Sequence, residues 1–242
     1  MRLQRKLGFY EKYIKRLLDI VCSLLFIIGF SWLYLIIAIV VKVKMGSPVI
    51  FRQPRPGIVK NGKETIFDMY KFRSMTDEKD AEGNLLPDDQ RLPKFGALLR
   101  STSLDELPEV FCILKGDMSV IGPRPQLVRD MVFMSDEQRM RHTAKPGLTG
   151  LAQVRGRNAV TWEEKLDWDL KYIEKVSFLG DVKILFETVA VVFKRSGITD
   201  GENATALDYG DALLKAGKVS KPQYDALQAH ALHLIKKHEG RR

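Results

Sequence analysis

The feature that most constrains this chain is an uncharged stretch of 22 residues, from Ile20 to Val41. As a single helix it would be roughly 33 Å long, close to the roughly 30 Å of a bilayer's hydrocarbon core. A cleavable signal peptide would have a shorter apolar region followed by small residues, whereas Val41 leads into Lys42 and Lys44. We therefore expect a membrane segment that is retained.

Both flanks of this stretch are basic. The basic residues before it are Arg2, Arg5, Lys6, Lys12, Lys15 and Arg16, and those after it are Lys42, Lys44, Arg52, Arg55, Lys60 and Lys63. Basic flanks stay on the cytoplasmic side, and a straight span can place only one flank there. A helix that bends and leaves by the face it entered satisfies both, and Gly29 with Ser31 is the kind of pair at which helices kink. An ordinary single span with a cytoplasmic globular part stays open as the alternative.

The edge of the apolar stretch carries one acidic residue, Asp19, one turn after Lys15 and Arg16. At this spacing on a helix the carboxylate can pair with either cation, which predicts an interfacial anchor rather than a catalytic acid. The residues expected to seat the chain in the membrane are therefore Lys15, Arg16, Asp19, Gly29 and Ser31.

The distribution of charge places the expected basic binding surface in the first third of the chain. Residues 1–75 hold 14 basic and 4 acidic side chains, whereas residues 76–242 hold 25 and 26. With 242 residues and 45% hydrophobic content, the chain suits one ordered domain rather than a disordered or collagenous protein. Cys22 and Cys112 lie far apart and form no CxxC motif, so a disulfide framework and a zinc site are not expected.

The rest of the chain reads as mainly helical with a small strand component. Strands are predicted at 48–57 and 65–75, and helices at 94–100, 107–115, 125–134, 135–142, 162–174, 180–195, 209–216 and 222–237. In a strand, Lys71 and Arg73 would share a face, where they either clamp a phosphate or form a solvated surface pair. The four histidines have no partners at ligand spacing, which favours solvated positions over a metal site.

Asp105 and Glu106 are neighbouring carboxylates at a predicted helix entrance. One interpretation is structural, because Ser103 and Glu106 have the spacing of a capping box. Pro108 argues against a helix that begins this early, since it lacks an N–H and disfavours helical backbone at Leu107. If the helix starts at Pro108, the carboxylates stand where backbone N–H groups favour anions and phosphates, which is consistent with catalysis.

Two loops combine basic residues with Gly or Pro. In Gly122-Pro123-Arg124-Pro125 the prolines fix the backbone around one arginine, which pre-orders a planar phosphate ligand or forms only a turn. Arg155-Gly-Arg157-Asn158 lies in a second such region. The chain has no Walker P-loop and no GxGxxG, so these loops indicate phosphate chemistry outside the nucleotide-fold superfamilies.

Seven motifs, in one order from about Tyr10 to Gly197, resemble a known family. They are Lys15-Arg16-x-x-Asp19, Phe51-Arg-Gln53-x-Arg55-x-Gly57, Lys71-Phe-Arg73-Ser-Met75, Arg100-x-x-Ser-Leu-Asp105-Glu106-Leu-Pro108, Lys115-Gly-Asp117-Met-Ser119, Gly122-Pro-Arg124-Pro125 and Pro146-Gly-x-Thr-Gly150. The family is the small monotopic phosphoglycosyl transferases, the polyprenyl-phosphate sugar-1-phosphate transferases that begin bacterial glycoconjugate assembly. Within it, the chain most resembles the enzyme that starts N-linked glycosylation with UDP-diacetylated bacillosamine.

The resemblance implies a re-entrant membrane helix and a cytoplasmic α/β catalytic domain, at the bacterial inner membrane. Asp105 would attack the β-phosphorus of a UDP-sugar, UMP would leave, and polyprenyl (undecaprenyl) phosphate would then take the phosphosugar from the aspartate. It also implies Mg²⁺ held at Asp105, assistance from Glu106, and a set of substrate- and phosphate-binding residues: Lys71, Arg73, Arg100, Pro123, Arg124, Pro125 and Arg157. Two other hypotheses stay open, namely direct attack with Asp105 only a metal ligand, and a non-enzymatic basic membrane adaptor.

The expected organisation has three parts: 1–45 with the membrane helix, the catalytic domain at 46–199 and a helical hairpin extension at 200–242. Relatives commonly have Ser-Pro where this chain has Ser31-Trp32, and Trp where it has Leu151. The extension resembles the short C-terminal hairpins called SHOCT modules, which implies oligomerisation, such as a homo-oligomer, or docking. The expected partners are the UDP-sugar, polyprenyl phosphate and the bilayer, with no nucleic acid.

Overall fold

The computed structural model describes residues 5–156, 161–193 and 207–241. After a π-helical turn at Tyr10–Ile14, the helices are α1 (Lys15–Gly29), α2 (Ser31–Met45), α3 (Asp88–Arg91), α4 (Lys94–Ser101), α5 (Glu109–Lys115), α6 (Val128–Met131), α7 (Asp136–Arg139), α8 (Leu151–Gly156), α9 (Trp162–Glu174), α10 (Phe178–Phe193), α11 (Tyr209–Lys215) and α12 (Lys221–Glu239). The strands are β1 (Ile50–Lys60), β2 (Lys63–Phe72), β3 (Ser119–Ile121) and β4 (Gly147–Thr149), and 3-10 turns cover Leu104–Glu106 and Met140–Thr143. The predicted class, mainly helical with a small strand component, is confirmed.

The first two helices form a bent pair. The helix axis bends by 65° between the stretches Tyr10–Gly29 and Ser31–Met45, and the Ser31 hydroxyl donates a hydrogen bond to the Ile28 carbonyl (3.0 Å) at the break. The predicted bend at Gly29 and Ser31 is therefore confirmed, although residue 32 is not a proline. Among the described residues, only this pair has the length and apolar composition of a membrane span; no helix has them alone.

Helix α1 turns its polar side to the protein and its apolar side outward. Lys15, Asp19 and Ser23 recur every four residues and are buried. The exposed large apolar side chains of the bent pair include Leu17, Val21, Leu24, Leu25, Ile28, Trp32, Leu35, Ile36, Ile39 and Val43. This is the reverse of a helix on the surface of a water-soluble domain, whose apolar stripe faces the core.

Three residues of α1 bind the body. Lys15 pairs with Asp181 of α10, and Arg16 donates to the carbonyls of the α5 C-terminus. The Asp19 carboxylate accepts from the Ser119 hydroxyl and the Val120 N–H, both at 2.9 Å. The predicted pairing of Asp19 with Lys15 or Arg16 is wrong, because β3 offers this buried carboxylate two donors and each cation binds elsewhere.

The four strands form two small two-stranded sheets. Strands β1 and β2 form an antiparallel hairpin, and its Asn61-Gly62 turn has positive φ at both residues, as two-residue hairpins favour. Strands β3 and β4 are parallel and lie close to each other at glycines. A Cβ on Gly147 would lie 2.1 Å from the Gly122 nitrogen, so this crossing requires glycine.

The core is a set of adjoining apolar clusters. One lies between β2 and α5 (Phe67, Met69, Cys112 and Ile113), and another joins β3 to α9 and α10 (Ile121, Tyr172, Ile173 and Ile184). Leu151, where relatives have Trp, packs partly buried against this second cluster. Helix α2 packs against β2 and α4 through Ile37, Val41, Phe72 and Leu99. The hairpin, α4 and α5 are therefore held in one body, and the loops between them converge.

The C-terminal extension packs on the same chain. The predicted helices at 209–216 and 222–237 are confirmed as α11 and α12. Tyr209 stacks against Trp162, its N–H donates to Asp130 (2.9 Å), and Ala231 packs into a cluster with Val128 and Met131. The predicted helices at 125–134 and 135–142 are shorter than expected, since only α6, α7 and a 3-10 turn form there. Oligomerisation stays a prediction.

Candidate active site

The turn between α4 and α5 sets the position of the acidic pair. Ser103 has left-handed backbone (φ 55°), and Asp105 and Glu106 follow in a 3-10 turn. The Ser103 side chain makes no capping hydrogen bond, so the capping-box interpretation is wrong. Helix α5 begins at Glu109 with Pro108 at its cap, close to the start that Pro108 predicts.

Glu106 is held by two cations. Its Oε1 accepts from Lys71 Nζ at 2.7 Å and from Arg124 Nη2 at 2.5 Å. Burial alone would raise the pKa of Glu106, but the charges of Arg124 and Lys71 outweigh it and hold the pKa well below its usual range. Glu106 is therefore a charged, firmly positioned carboxylate.

Asp105 has the opposite environment. Its side chain is buried, yet no other described residue donates a hydrogen bond to its carboxylate. Burial raises its pKa; Lys71 and Arg100 act against the shift, and Glu106 adds to it. Asp105 is thus a buried carboxylate with cations nearby and with no hydrogen bond from another described residue, as an attacking or metal-binding group needs.

The structure adds a third carboxylate, Glu109. It is 1% exposed, and its Oε1 lies 3.3 Å from Lys71 Nζ. Burial, followed by the charge of Glu106, raises its pKa. Sequence reasoning missed Glu109; its spacing of three and four residues from Glu106 and Asp105 was the signal available.

The predicted cations do not all come together. Lys71 and Arg124 meet at Glu106, and Arg100 donates to Ser74 Oγ (3.0 Å) while its charge acts on Asp105. Arg73 instead donates to the carbonyls of Met45, Ser47 and Met75 and pairs with Asp77. Lys71 and Arg73 form neither the clamp nor the solvated surface pair considered for them, because β2 ends at Phe72 and the buried Arg73 binds carbonyls at the end of α2. Arg157 lies outside the described residues.

The loop that carries Arg124 is anchored through its backbone carbonyls. The Pro123 carbonyl accepts from the Gly147 N–H (3.0 Å), that of Arg124 from Arg141 (2.5 Å), and that of Pro125 from Arg55 (3.2 Å). Two of these donors are arginines that the sequence did not single out for this role. Burial, followed by the charge of Arg124, lowers the pKa of Arg55 to about 10.

The sequence matches the family described as bacterial sugar transferase over residues 10–195. The chain belongs to this family. It is 46% identical over 193 residues to the uncharacterized sugar transferase EpsL of Bacillus subtilis, covering 80% of this chain and 94% of that protein. This transferase is therefore an enzyme, and the family match ends at residue 195, before the C-terminal extension.

Two relatives with more specific names are much longer proteins. The transferase is 36% identical over 218 residues to the undecaprenyl-phosphate galactose phosphotransferase of Salmonella typhimurium, covering 81% of this chain and 44% of that protein. It is 43% identical over 185 residues to the UDP-glucose:undecaprenyl-phosphate glucose-1-phosphate transferase of Klebsiella pneumoniae, covering 72% and 39%. The transferase thus spans less than half of either relative.

The carboxylate of Asp105 fits magnesium binding that is shared with substrate phosphates and water. No group of three or more acidic, His or Cys side chains in residues 5–156, 161–193 and 207–241 is arranged to hold a metal ion. Mg²⁺ is commonly bound by one or two carboxylates together with substrate phosphates and water. The Asp105 carboxylate, without another protein donor, fits that arrangement.

Two of the transferase's histidines have acidic partners, which the sequence did not predict. His142 is buried with Nδ1 3.4 Å from Glu64 Oε1, and burial lowers its pKa to about 4. His238 Nε2 lies 3.0 Å from Asp68 Oδ1, which ties α12 to β2. Their acidic partners are far away in sequence, so spacing alone did not identify them.

Proposed function

We propose that the transferase moves a sugar 1-phosphate from a UDP-sugar to polyprenyl phosphate, releasing UMP and giving polyprenyl-diphosphate-sugar. The names of the Salmonella and Klebsiella relatives support this reaction for the region they share with this chain. The observation that carries the proposal is the contrast at residues 105 and 106: the Glu106 carboxylate is neutralised by two cations, whereas the Asp105 carboxylate is buried and accepts no hydrogen bond from another described residue.

In the first proposed step, a carboxylate oxygen of Asp105 forms a bond to the β-phosphorus of the donor. The bond between that phosphorus and the bridging oxygen breaks, and its electron pair leaves with UMP. A phosphosugar ester of Asp105 remains. This is covalent catalysis, which divides one difficult phosphoryl transfer into two easier ones.

In the second step, an oxygen of polyprenyl phosphate attacks the same phosphorus, and the Asp105 carboxylate is released. Lys71, Arg100 and Arg124 are the cations available to neutralise phosphate oxygens, and Glu106 holds Lys71 and Arg124 in place. Positioning and charge neutralisation supply most of the acceleration in phosphoryl transfer. Mg²⁺ bound at Asp105 would reduce the repulsion between this carboxylate and the donor diphosphate.

We further propose that α1 and α2 form a re-entrant membrane helix in the bacterial inner membrane, with the active site on the cytoplasmic face. Both ends of the pair return to the same body. Arg16 near its start binds the end of α5, and the Met45 carbonyl at its end accepts from Arg73 (3.1 Å).

A second candidate mechanism is direct attack of polyprenyl phosphate on the donor, with Asp105 only a metal ligand. The uncommitted carboxylate of Asp105 favours both mechanisms. The non-enzymatic membrane adaptor is disfavoured, since the chain belongs to a transferase family.

The reaction is tested by UMP release from a panel of UDP-sugars in the presence of Mg²⁺ and undecaprenyl phosphate. The panel includes UDP-galactose, UDP-glucose and UDP-diacetylbacillosamine, because the named relatives differ in sugar and the sequence resembles a bacillosamine enzyme. Asp105→Asn should lower the rate by about three orders of magnitude or more. Asp225→Asn, which removes a carboxylate from an exposed pair with Lys221, is the matched control and should keep the native rate. Release of UMP by Asp105→Asn at the native rate would refute the proposal.

A further inference from the structure

We propose that the C-terminal extension, formed by α11 and α12, sets the relative position of the two cations that bind Glu106. The inference rests on the proposed function and makes the extension a positioning element for that reaction. Lys71 lies on β2, and Arg124 lies in the loop that leads into α6. The extension contacts both of these segments and joins them.

A buried carboxylate joins the end of the Arg124 loop to the start of the extension. Asp130 of α6 is 2% exposed; its Oδ2 accepts from the Leu127 N–H at 3.3 Å, and its Oδ1 accepts from the Tyr209 N–H at 2.9 Å. Leu127 immediately precedes α6, and Tyr209 begins α11. Burial raises the pKa of Asp130 to about 6, so at neutral pH the carboxylate is ionised and can accept from both groups. A movement of α11 is therefore transmitted to the backbone that follows Arg124.

At its other end the extension binds the strand that carries Lys71. His238, in the last turn of α12, has its Nε2 3.0 Å from Oδ1 of Asp68. Asp68 lies on β2, one turn of strand alternation before Lys71. Both side chains are largely withdrawn from solvent, which limits the competition of water for this contact. The contact therefore fixes α12 to the part of β2 that leads to Lys71.

Between these two ends, α12 packs against both segments at once. Ala231 is 1% exposed and lies in one apolar cluster with Val128 and Met131 of α6, and Ile66 of β2 packs against the same cluster. Close-packed interiors have few voids and therefore transmit displacements. The extension is thus a bridge between α6 and β2.

The spacing of the two cations matters because they share one acceptor atom. Glu106 Oε1 accepts from Lys71 Nζ at 2.7 Å and from Arg124 Nη2 at 2.5 Å. Displacement of either segment by about 1 Å would take one of these contacts out of hydrogen-bond range, and misplacement of this size costs up to about a hundredfold in rate. The family match ends at residue 195, so this restraint comes from outside the family region.

The first test detaches α12 in the full-length protein. Ala231→Arg places a charged side chain in the shared cluster, and Ala229→Arg adds the same side chain at an exposed position of the same helix. The values of kcat and KM are measured in detergent with Mg²⁺ and undecaprenyl phosphate, using whichever of UDP-galactose, UDP-glucose and UDP-diacetylbacillosamine the wild type turns over fastest. All rates are taken well below the unfolding temperature of each variant. Amide hydrogen exchange of residues 68–72 and 124–128 is measured without substrate.

The second test removes only the polar contact at the end of α12, which keeps the inference testable if Ala231→Arg does not fold. His238→Ala deletes the group that faces Asp68, and His238→Gln restores a side-chain N–H donor at a similar reach. His233 is exposed on the same helix, so His233→Ala is the matched control. The same rates and the same exchange are measured.

We expect Ala231→Arg to lower kcat about tenfold or more and to speed exchange in both segments, because misplaced cations stabilise the transition state less. His238→Ala should lower kcat about threefold, His238→Gln should recover most of that loss, and both controls should match the wild type. Native kcat in Ala231→Arg and His238→Ala, lower kcat with unchanged exchange of both segments, or equal losses in the controls would overturn the inference. Failure of the proposed function would appear separately, as UMP release that does not depend on Asp105.

Discussion

Arg124 Nη2 and Glu106 Oε1 form an ion pair at 2.5 Å, and this contact distinguishes two carboxylates that are neighbours in the chain. Glu106 is neutralised by Lys71 of strand β2 and by Arg124 of a separate loop, whereas the Asp105 carboxylate accepts no hydrogen bond from another described residue. The two carboxylates therefore have different roles. Glu106 positions the two cations, and the Asp105 carboxylate is available to contact a substrate.

Asp105→Asn should keep or raise stability at pH 7. Burial raises the pKa of Asp105 in the folded protein, so its ionised form favours unfolding at pH values above its unfolded pKa of about 3.9. The amide removes this cost, and the advantage of the variant should shrink as the pH falls toward 4. Thermal unfolding between pH 4 and 8 measures it. A variant clearly less stable than the wild type at pH 7 would show that the ionised carboxylate stabilises the fold.

Glu106→Gln should be destabilising. Its folded pKa is depressed, so its contribution is complete above the unfolded pKa of about 4.3 and is lost as the pH falls below that value. Removing one partner of a largely buried pair leaves cations unpaired, and we expect a loss of roughly 2 kcal/mol or more in unfolding free energy at pH 7. Denaturant unfolding at pH 7 and pH 3 measures this difference.

The control for that variant is Glu163→Gln. Glu163 pairs with Lys218 at 2.7 Å, but both side chains are at least half exposed. Such exposed pairs contribute little to stability, because water and salt screen the two charges. Equal losses for the two variants at pH 7 would contradict the special role of Glu106.

The C-terminal extension should be held to the body by Ala231. This residue is 1% exposed and lies in a cluster with Val128 and Met131, whereas Ala229 is exposed on the same helix. Ala231→Arg forces a charged side chain into that cluster and should cost about 2 kcal/mol or more, while Ala229→Arg should cost little. Thermal unfolding and limited proteolysis of α12 measure the effect. Identical behaviour of the two variants would mean that this packing does not hold the extension.

A re-entrant helix places residues 6 and 60 on one side of the membrane. In a Cys22→Ser background, single cysteines introduced as Lys6→Cys and Lys60→Cys should react with a membrane-impermeant maleimide from the cytoplasmic side only. Cys112 is buried and should not interfere. Labelling of the two sites from opposite sides would establish a full span instead.

Local features of the sequence predicted several parts of the site. The bend at Gly29 and Ser31 followed from the two basic flanks, and the start of α5 followed from the missing N–H of Pro108. The family resemblance assigned Lys71 and Glu106 to one active site but did not predict the contact between them. The start of α5 depends on backbone chemistry within a few residues, and the bend depends on charges at both ends of the apolar stretch; a sequence displays both directly.

Contacts between distant segments were not predictable in the same way. Glu109 reads as an ordinary acid in the first turn of a helix, and its contact with Lys71 depends on how α5 packs on β2. Arg73 was placed beside Lys71 by strand alternation, which stops applying where β2 ends at Phe72. Asp19 binds β3, 100 residues away, rather than the cations one turn before it. Periodicity identifies a buried face but not the partner across from it.

The most direct test of the central proposal is the intact mass of the protein after incubation with its UDP-sugar and Mg²⁺ in the absence of lipid acceptor. The wild type should gain the mass of one sugar phosphate and lose it when undecaprenyl phosphate is added, and Asp105→Asn should gain nothing. A wild type that turns over fully with acceptor, yet forms no adduct without it, would contradict the aspartyl intermediate and favour direct attack.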